Sequence, residues 1–196
     1  MSKIAGTSFL SVVGFVVLTA GSLVGQTAAP AYIVTRLGVD TVAIERYSRS
    51  SGKLEGDLVL RYPRTRTFHY VADLGPHGEV KALTTTVRRP GADPMAPPTM
   101  QSVSRFTDSI AVIEVKRDGT ADTSLTGRKI FHGSVQPTFG TAPPAYGLYE
   151  QALSTANLGR DSVVYALVGP GGGPVLAMTM RRRGADSVAF TSSFFP

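Results

Sequence analysis

Cysteine is absent from this chain of 196 residues. Without thiols, the chain forms no disulfide bond, no thiolate metal site and no cysteine nucleophile. The absence of cysteine also excludes a bacterial lipoprotein anchor, because such an anchor is attached to a cysteine directly after a signal peptide.

Catalytic and cofactor motifs are scarce as well. The three histidines, His69, His77 and His132, form no HExxH motif and lack the spacing of a ligand pair, so we expect no zinc site. The G-x-S-x-G nucleophile elbow is missing, and the glycine-rich stretch 169–174 lacks the Lys-Ser/Thr of a phosphate loop. We therefore predict no catalytic residue, metal or cofactor, and an enzyme is the less favoured class.

Residues 1–25 have the features of a secretory signal peptide. Lys3 provides a positive n-region, residues 9–20 form an apolar run, and small residues follow it. The run is shorter than the ~20 apolar residues that a membrane-spanning helix needs. We expect cleavage between residues 20 and 29 and export to the periplasm or the medium. Contact with a membrane is expected only if the leader stays uncleaved.

Basic residues outnumber acidic ones, with 20 Lys and Arg against 14 Asp and Glu, a net charge of +6. A positive surface that keeps the protein soluble is the interpretation we favour. An anionic partner, such as phospholipid headgroups or envelope polymers, is the alternative. No motif of nucleic-acid recognition is present, so we do not expect nucleic acid as a partner.

The stretch 53–89 predicts three consecutive strands, which we call the meander. In 54–62 apolar residues alternate with charged ones, as is typical of a strand with one buried face. A second alternating run covers 67–74, the tetrapeptide 75–78 predicts a turn, and residues 79–89 are rich in β-branched side chains. Connections this short require antiparallel neighbours.

Shorter strands and two loops complete what we predict to be a single domain, residues 30–196. The strand candidates outside the meander are 31–36, 41–47, 100–106, 108–117, 121–125, 128–131, 161–168, 175–181 and 186–195, with a polar loop at 48–52. Pro-rich stretches at 89–99 and 133–144 predict long surface loops. The dipeptide Asp118-Gly119 predicts a tight hairpin.

Residues 145–158 predict an amphipathic helix. Its apolar stripe consists of Ala145, Leu148, Tyr149, Ala152, Leu153 and Ala156. Pro144 fits the first turn and Gly159 fits the position past the end. Gly147 speaks against the helix, because glycine in a helix interior is about 1 kcal/mol less favourable than alanine. We expect the helix to lie across the sheet and bury its stripe, or to cap the open side of a curled sheet.

Arginines cluster at two places along the meander. They are Arg61, Arg64, Arg66, Arg88 and Arg89. If the meander folds as predicted, both places lie at one end of the sheet and form a basic rim. Protection of the sheet edge against strand addition is the alternative role for these charges.

The layout of 53–89 and 145–158 resembles the half-barrel of periplasmic lipoprotein carriers and related envelope β-domains. It is also similar to uncharacterised exported bacterial β-rich domains. In the carriers, a curled sheet with a helical lid holds acyl chains. The resemblance therefore implies a cavity lined by Leu58, Leu60, Phe68, Tyr70 and Tyr149. The same side chains would equally form a solid core, which is the interpretation we favour.

We thus expect a mainly β (α+β) fold, in which an antiparallel meander forms a curled sheet or half-barrel with one amphipathic helix packed on it. The expected function is a non-enzymatic binding or interaction module of the bacterial envelope, with an apolar, lipid-like ligand or an envelope protein as its partner. The first alternative is a hydrolase or the accessory domain of a secreted hydrolase. The second is a small outer-membrane β-barrel. The oligomeric state does not follow from the sequence.

Overall fold

The computed structural model describes residues 29–61, 64–107, 109–130, 135–137, 145–155, 163–168, 176–184 and 187–194. The predicted leader and its cleavage site lie outside the described residues, as does most of the predicted loop 133–144. Within the described ranges, no helix is both long enough and apolar enough to cross a bilayer.

Nine strands form the main sheet, and their order in space largely follows their order in the chain. They are β1 (Ala31–Leu37), β2 (Asp40–Ser50), β3 (Lys53–Leu60), β4 (Arg66–Leu74), β5 (Val80–Arg88), β6 (Met100–Phe106), β7 (Ile110–Arg117), β8 (Thr120–Ala121) and β9 (Gly127–Ile130). Each strand from β1 to β8 pairs with the next, β9 pairs with β7, and all pairs are antiparallel. The sheet is not closed into a barrel. The predicted antiparallel meander is confirmed.

Alternation of side chains decides which face of the sheet is buried. In β3, Leu54 and Leu58 are buried whereas Glu55 and Asp57 are exposed. In β4, Tyr70 is buried on the same side of the sheet as Leu54 and Leu58. We call this buried side the inner face and the opposite side the outer face. The period-two pattern in the sequence therefore predicted the facing of both strands correctly.

Two segments of the main sheet were assigned wrongly from the sequence. The predicted polar loop 48–52 is mostly strand, because β2 continues to Ser50 and stays paired with β3 up to Lys53. The predicted strand 121–125 is mostly a turn, since β8 ends at Ala121 and residues 123–125 turn back towards β9. The hairpin at Asp118-Gly119 is confirmed, and both residues have the positive φ (46° and 83°) that a type I′ turn requires.

A smaller sheet contains four strands in the order β10 (Val135–Pro137), β11 (Val163–Val168), β12 (Leu176–Arg182) and β13 (Val188–Phe194). β10 and β11 are parallel, and the helix α1 (Tyr146–Thr155) lies between them in the chain. The connection is therefore a β-α-β crossover, as parallel neighbours require. β10 falls inside 133–144, so the prediction of a loop there is wrong at these three residues.

One hydrophobic core lies between the inner face and α1. Its buried members are Tyr47, Leu54, Tyr70, Ala72, Val80, Leu83, Phe106, Ala111, Ile113, Val115, Ala145 and Leu148. The helix thus packs on the inner face, as predicted, and brings Ala145 and Leu148 of its predicted stripe into the core. The predicted helical residues 156–158 lie outside the described residues. The fold class is confirmed: mainly β, with one helix packed on a large antiparallel sheet.

Candidate functional site

The five residues predicted to line a cavity differ in burial. Leu58 and Tyr70 are buried, with exposed fractions of 1% and 0%. Leu60, Phe68 and Tyr149 are half-buried. Tyr70 belongs to the hydrophobic core and Phe68 packs against it. Leu58 and Phe68 are direct cross-strand neighbours, so the sheet brings four of the five residues together on the inner face, whereas Tyr149 lies on α1.

The five predicted rim arginines lie at one end of the main sheet. Arg61 and Arg64 stand between β3 and β4, and Arg66 begins β4. Arg88 ends β5 and Arg89 follows it. Arg88 is paired with Thr67, next to Arg66, which fixes both clusters at the same end. We call this end the rim.

The rim arginines do not share one face of the sheet. Arg66 pairs with Leu60 and precedes Phe68 by two residues, so it stands on the inner face. Arg88 stands on the outer face, where its Nη1 donates a hydrogen bond of 2.6 Å to the carbonyl of Ala96 and one of 3.4 Å to the carbonyl of Asp93. Arg88 therefore holds the loop 89–99. Among the rim arginines, Arg66 is the one closest in register to the half-buried residues Leu60 and Phe68.

An open pocket of about 210 Å³ lies at the rim, between the loop 89–99 and the turn after β7. Its lining consists of Arg88, Arg89, Ala92, Pro97, Thr99 and Asp118. The hydroxyl of Thr99 donates to the carbonyl of Val87 at 2.9 Å, which ties the end of the loop to β5. Two arginines make this pocket suitable for a small anionic group, although Asp118 offsets part of the positive charge.

A buried carboxylate holds α1 on the inner face. Glu45 of β2 is 1% exposed. Its Oε2 accepts the backbone N–H of Tyr146 at 2.6 Å, and its Oε1 accepts the N–H of Gly147 at 3.1 Å and the hydroxyl of Tyr70 at 2.7 Å. The first N–H groups of a helix have no acceptor within the helix. Glu45 supplies that acceptor from another strand, and its negative charge suits the positive end of the helix dipole.

Further polar contacts hold the helix along its length. The hydroxyl of Tyr47 donates to the carboxylate of Glu150, and Arg49 Nη1 lies 3.7 Å from Glu150 Oε1. One residue further along, Gln151 Nε2 donates to the carbonyl of Gly78 at 2.6 Å. The helix is therefore bound to β2 and to the turn between β4 and β5.

Two glycines make the close approach of the tyrosines and the helix possible. Gly56 lies between Tyr47 and Tyr70 in the cross-strand register. A Cβ atom on Gly56 would stand 2.5 Å from Tyr70 Oη, and a Cβ atom on Gly147 would stand at the same distance from that oxygen and 2.9 Å from Tyr47 Cγ. Any larger residue at either position would push the ring or the helix away.

Burial controls the ionisation of this cluster. Removal from water raises the pKa of Glu45 above its ordinary value, against the opposing effect of the three hydrogen bonds donated to it. Burial likewise raises the pKa of Tyr47 and of Tyr70. The carboxylate of Glu45 adds to this effect for both tyrosines, and that of Glu150 adds to it for Tyr47. Both tyrosines stay protonated and act as donors. Because Glu45 is sealed from solvent, the cluster positions the helix and is not placed to act on a substrate.

This cluster was not predicted from the sequence. Hydrophobicity alone favours burying Val42 and Ile44 in β2, whereas the structure buries Glu45 and Tyr47 and leaves Ile44 45% exposed. The available signal was Gly147, because a glycine inside a helix costs stability that close packing can offset.

A histidine–aspartate pair lies on the outer face. His69 Nδ1 is 2.9 Å from Asp57 Oδ1, and His69 Nε2 is 3.7 Å from Glu55 Oε1. An aspartate that orients a histidine is part of the machinery of serine hydrolases. Here the free side of the ring faces a carboxylate, not a hydroxyl, and all three side chains are exposed. Within the described part of the chain, no three His, Asp or Glu side chains are grouped in a way that could bind a metal ion.

Comparison of the chain with protein-family models, with curated proteins and with solved structures of other proteins gives no match in any of the three.

Proposed function

We propose that the protein is an exported, non-enzymatic binding module of the bacterial envelope, and that its ligand is an anionic amphiphile of the lipid type. The observation that carries the proposal is the pairing of Arg66 with Leu60 on the inner face, beside half-buried Phe68. A cationic side chain next to partly exposed apolar ones suits a ligand with an anionic headgroup and an acyl chain.

The headgroup would interact with the rim. Arg61, Arg64 and Arg66 are all exposed at this end of the sheet, and exposed arginines pair well with phosphate and carboxylate groups. Each basic residue near an anionic lipid surface contributes about 1 kcal/mol. Three such arginines would therefore change the affinity by about a hundredfold.

The acyl chain would interact with the end of the inner face. Phe68 and Met100 are half-buried and pack against the core, and Leu60 is half-buried in the row nearest the rim. Burial of each methylene group contributes about 0.8 kcal/mol. The apolar contacts and the rim together would favour an amphiphile over a purely apolar or purely ionic ligand.

The first experiment is lipid extraction and native mass spectrometry of the protein purified from a host that expresses the full chain. The mass also gives the N-terminus, which tests the predicted leader and its cleavage. The second experiment is flotation with vesicles of phosphatidylglycerol and, separately, of phosphatidylcholine. We expect a bound anionic lipid, and binding to the phosphatidylglycerol vesicles that weakens with added salt.

Two variants that remove the same number of charges distinguish lipid binding at the rim from a general effect of positive charge. The triple substitution Arg61→Gln, Arg64→Gln, Arg66→Gln should reduce binding about a hundredfold. The control triple Lys53→Gln, Lys81→Gln, Arg105→Gln removes the same charge at the opposite end of the sheet and should leave binding nearly unchanged. Equal effects of the two triples, or no binding by the unmodified protein, would rule out the rim as a lipid site.

The hydrolase alternative has one observation in its favour, the hydrogen bond between Asp57 and His69. A screen of ester substrates with the unmodified protein and with His69→Ala tests it directly. Turnover that disappears in the variant would support the enzyme, and turnover that is absent from both proteins supports the binding module.

A further inference from the structure

The two edges of the main sheet differ in their suitability for pairing with another strand. At one edge, β8 has two residues, and β9 has four and includes Arg128 and Lys129. Short edge strands with basic residues are common protection against edge-to-edge association. At the other edge, β1 has seven residues, no proline and a single charge, at Arg36. In the described part of the chain, only β2 pairs with β1.

β1 itself keeps a regular extended course. The register with β2 shifts between Thr35 and Arg36, where Thr35 pairs with Ala43 and Arg36 pairs with Thr41. The extra residue at this bulge, Val42, therefore belongs to β2. The backbone of β1 stays available for a ladder of hydrogen bonds along its free edge.

The outer face next to this edge is apolar. Val34, Ile44 and Val59 are direct cross-strand neighbours, and they are 52%, 45% and 36% exposed. Tyr32, also on β1, is 65% exposed. An apolar row that ends at an edge strand would continue across that edge if a second sheet were added there.

We propose that β1 pairs antiparallel with β1 of a second copy of this chain, about a two-fold axis at Val34. This is the one centre that pairs all seven residues of the strand. It places Val34 opposite Val34 and extends the apolar row from three strands to six.

The charges on β1 also suit this arrangement. With the axis at Val34, Arg36 of the second copy lies opposite Tyr32, so no two like charges face each other. The guanidinium of Arg46 already lies 5.9 Å from the centre of the Tyr32 ring. An aromatic ring attracts a guanidinium group, so Tyr32 is an acceptable neighbour for Arg36 of the second copy, which would approach from the side away from Arg46. A second copy is favoured over another partner because β1 pairs with itself along its full length and brings no two like charges opposite each other.

Sedimentation velocity and light scattering of the purified full chain, over the micromolar range, test the proposal. We expect a dimer. Val34→Lys should weaken the dimer at least about tenfold, because it places two ammonium groups opposite each other. Val59→Lys adds the same charge to the same row two strands away from the edge and should leave the dimer intact. A mixture of Val34→Lys and Val34→Glu proteins should form a heterodimer.

A cysteine probe gives a second measurement that does not depend on how well a charge is tolerated. Because the chain has no cysteine, Val34→Cys introduces a single thiol. Mild oxidation should link two copies through it, and Val59→Cys should stay unlinked. The proposal is overturned if the unmodified protein is a monomer throughout the range, if Val34→Lys remains a dimer, or if the two cysteine variants cross-link equally.

Discussion

Replacing Gly147 by alanine tests how closely α1 lies against the sheet. Two effects oppose each other. Alanine favours the helix by about 1 kcal/mol. Its Cβ would, however, stand 2.5 Å from Tyr70 Oη and 2.9 Å from Tyr47 Cγ, and overpacking of this kind costs about 1–3 kcal/mol. Displacing the helix would also lengthen the bonds from its first N–H groups to Glu45, and loss of a cap costs about 0.5–2 kcal/mol.

The net expectation is a loss of about 1–3 kcal/mol in the free energy of unfolding. For a chain of this size, each kcal/mol lowers the melting temperature by about 2–4 °C. Denaturant titrations followed by circular dichroism give the free energy. Gly127→Ala is the control, because a Cβ there has no heavy atom within 4 Å.

The same substitution in a second variant identifies the atom that the new Cβ meets. In a protein that carries Tyr70→Phe, the oxygen nearest to the new Cβ is gone, so Gly147→Ala should cost at least about 0.5 kcal/mol less than in the unmodified protein. If Gly147→Ala stabilises the protein by the amount that helix propensity predicts, the close packing of α1 on the tyrosines is wrong.

Three further predictions concern the carboxylate, the loop and the helix. Burial raises the pKa of Glu45, so its contribution to stability is full below its ordinary pKa of 4.5 and is lost as the pH rises through the folded value. The stability difference between the unmodified protein and Glu45→Gln should therefore fall as the pH increases from 4.5 through the raised folded value and level off above it. A difference that rises with pH would refute the burial argument. Arg88→Ala should speed proteolysis within 89–99 and lower the free energy of unfolding by about 1 kcal/mol. Arg89→Ala should have neither effect. Equal rates of cleavage in the two variants would show that Arg88 does not hold the loop. Ala152→Pro should cost about 3 kcal/mol or more, and an unchanged far-UV signal and stability would contradict the helix.

Local patterns were sufficient to predict the meander. In β3, the alternation of Leu54 and Leu58 with Glu55 and Asp57 gave both the strand and its buried face. The short turn at 75–78 gave the antiparallel pairing with β5. These features depend on residues that are close in sequence, so a single sequence contains all the information needed to predict them.

The site under the helix depends on contacts that no local pattern contains. Glu45 and Tyr146 are separated by 101 positions. Before the helix is placed, a glutamate between Ile44 and Arg46 has the pattern of a solvent-exposed residue. The parallel pair β10–β11 was missed for a related reason, because a three-residue strand with a proline has too few side chains to show a period.

The distance in sequence between β2 and α1 affects the order in which the protein folds. The strands β2 to β7 are joined by local connections, which favour early formation. Docking of the helix needs Glu45 and Tyr70 to be already brought together across the sheet, so it follows the formation of β2 to β4. Until then Glu45 is hydrated and the apolar inner face is open to other chains. The turns of the sheet therefore govern how fast the protein begins to fold, whereas Glu45 and Gly147 govern how long it remains vulnerable to aggregation.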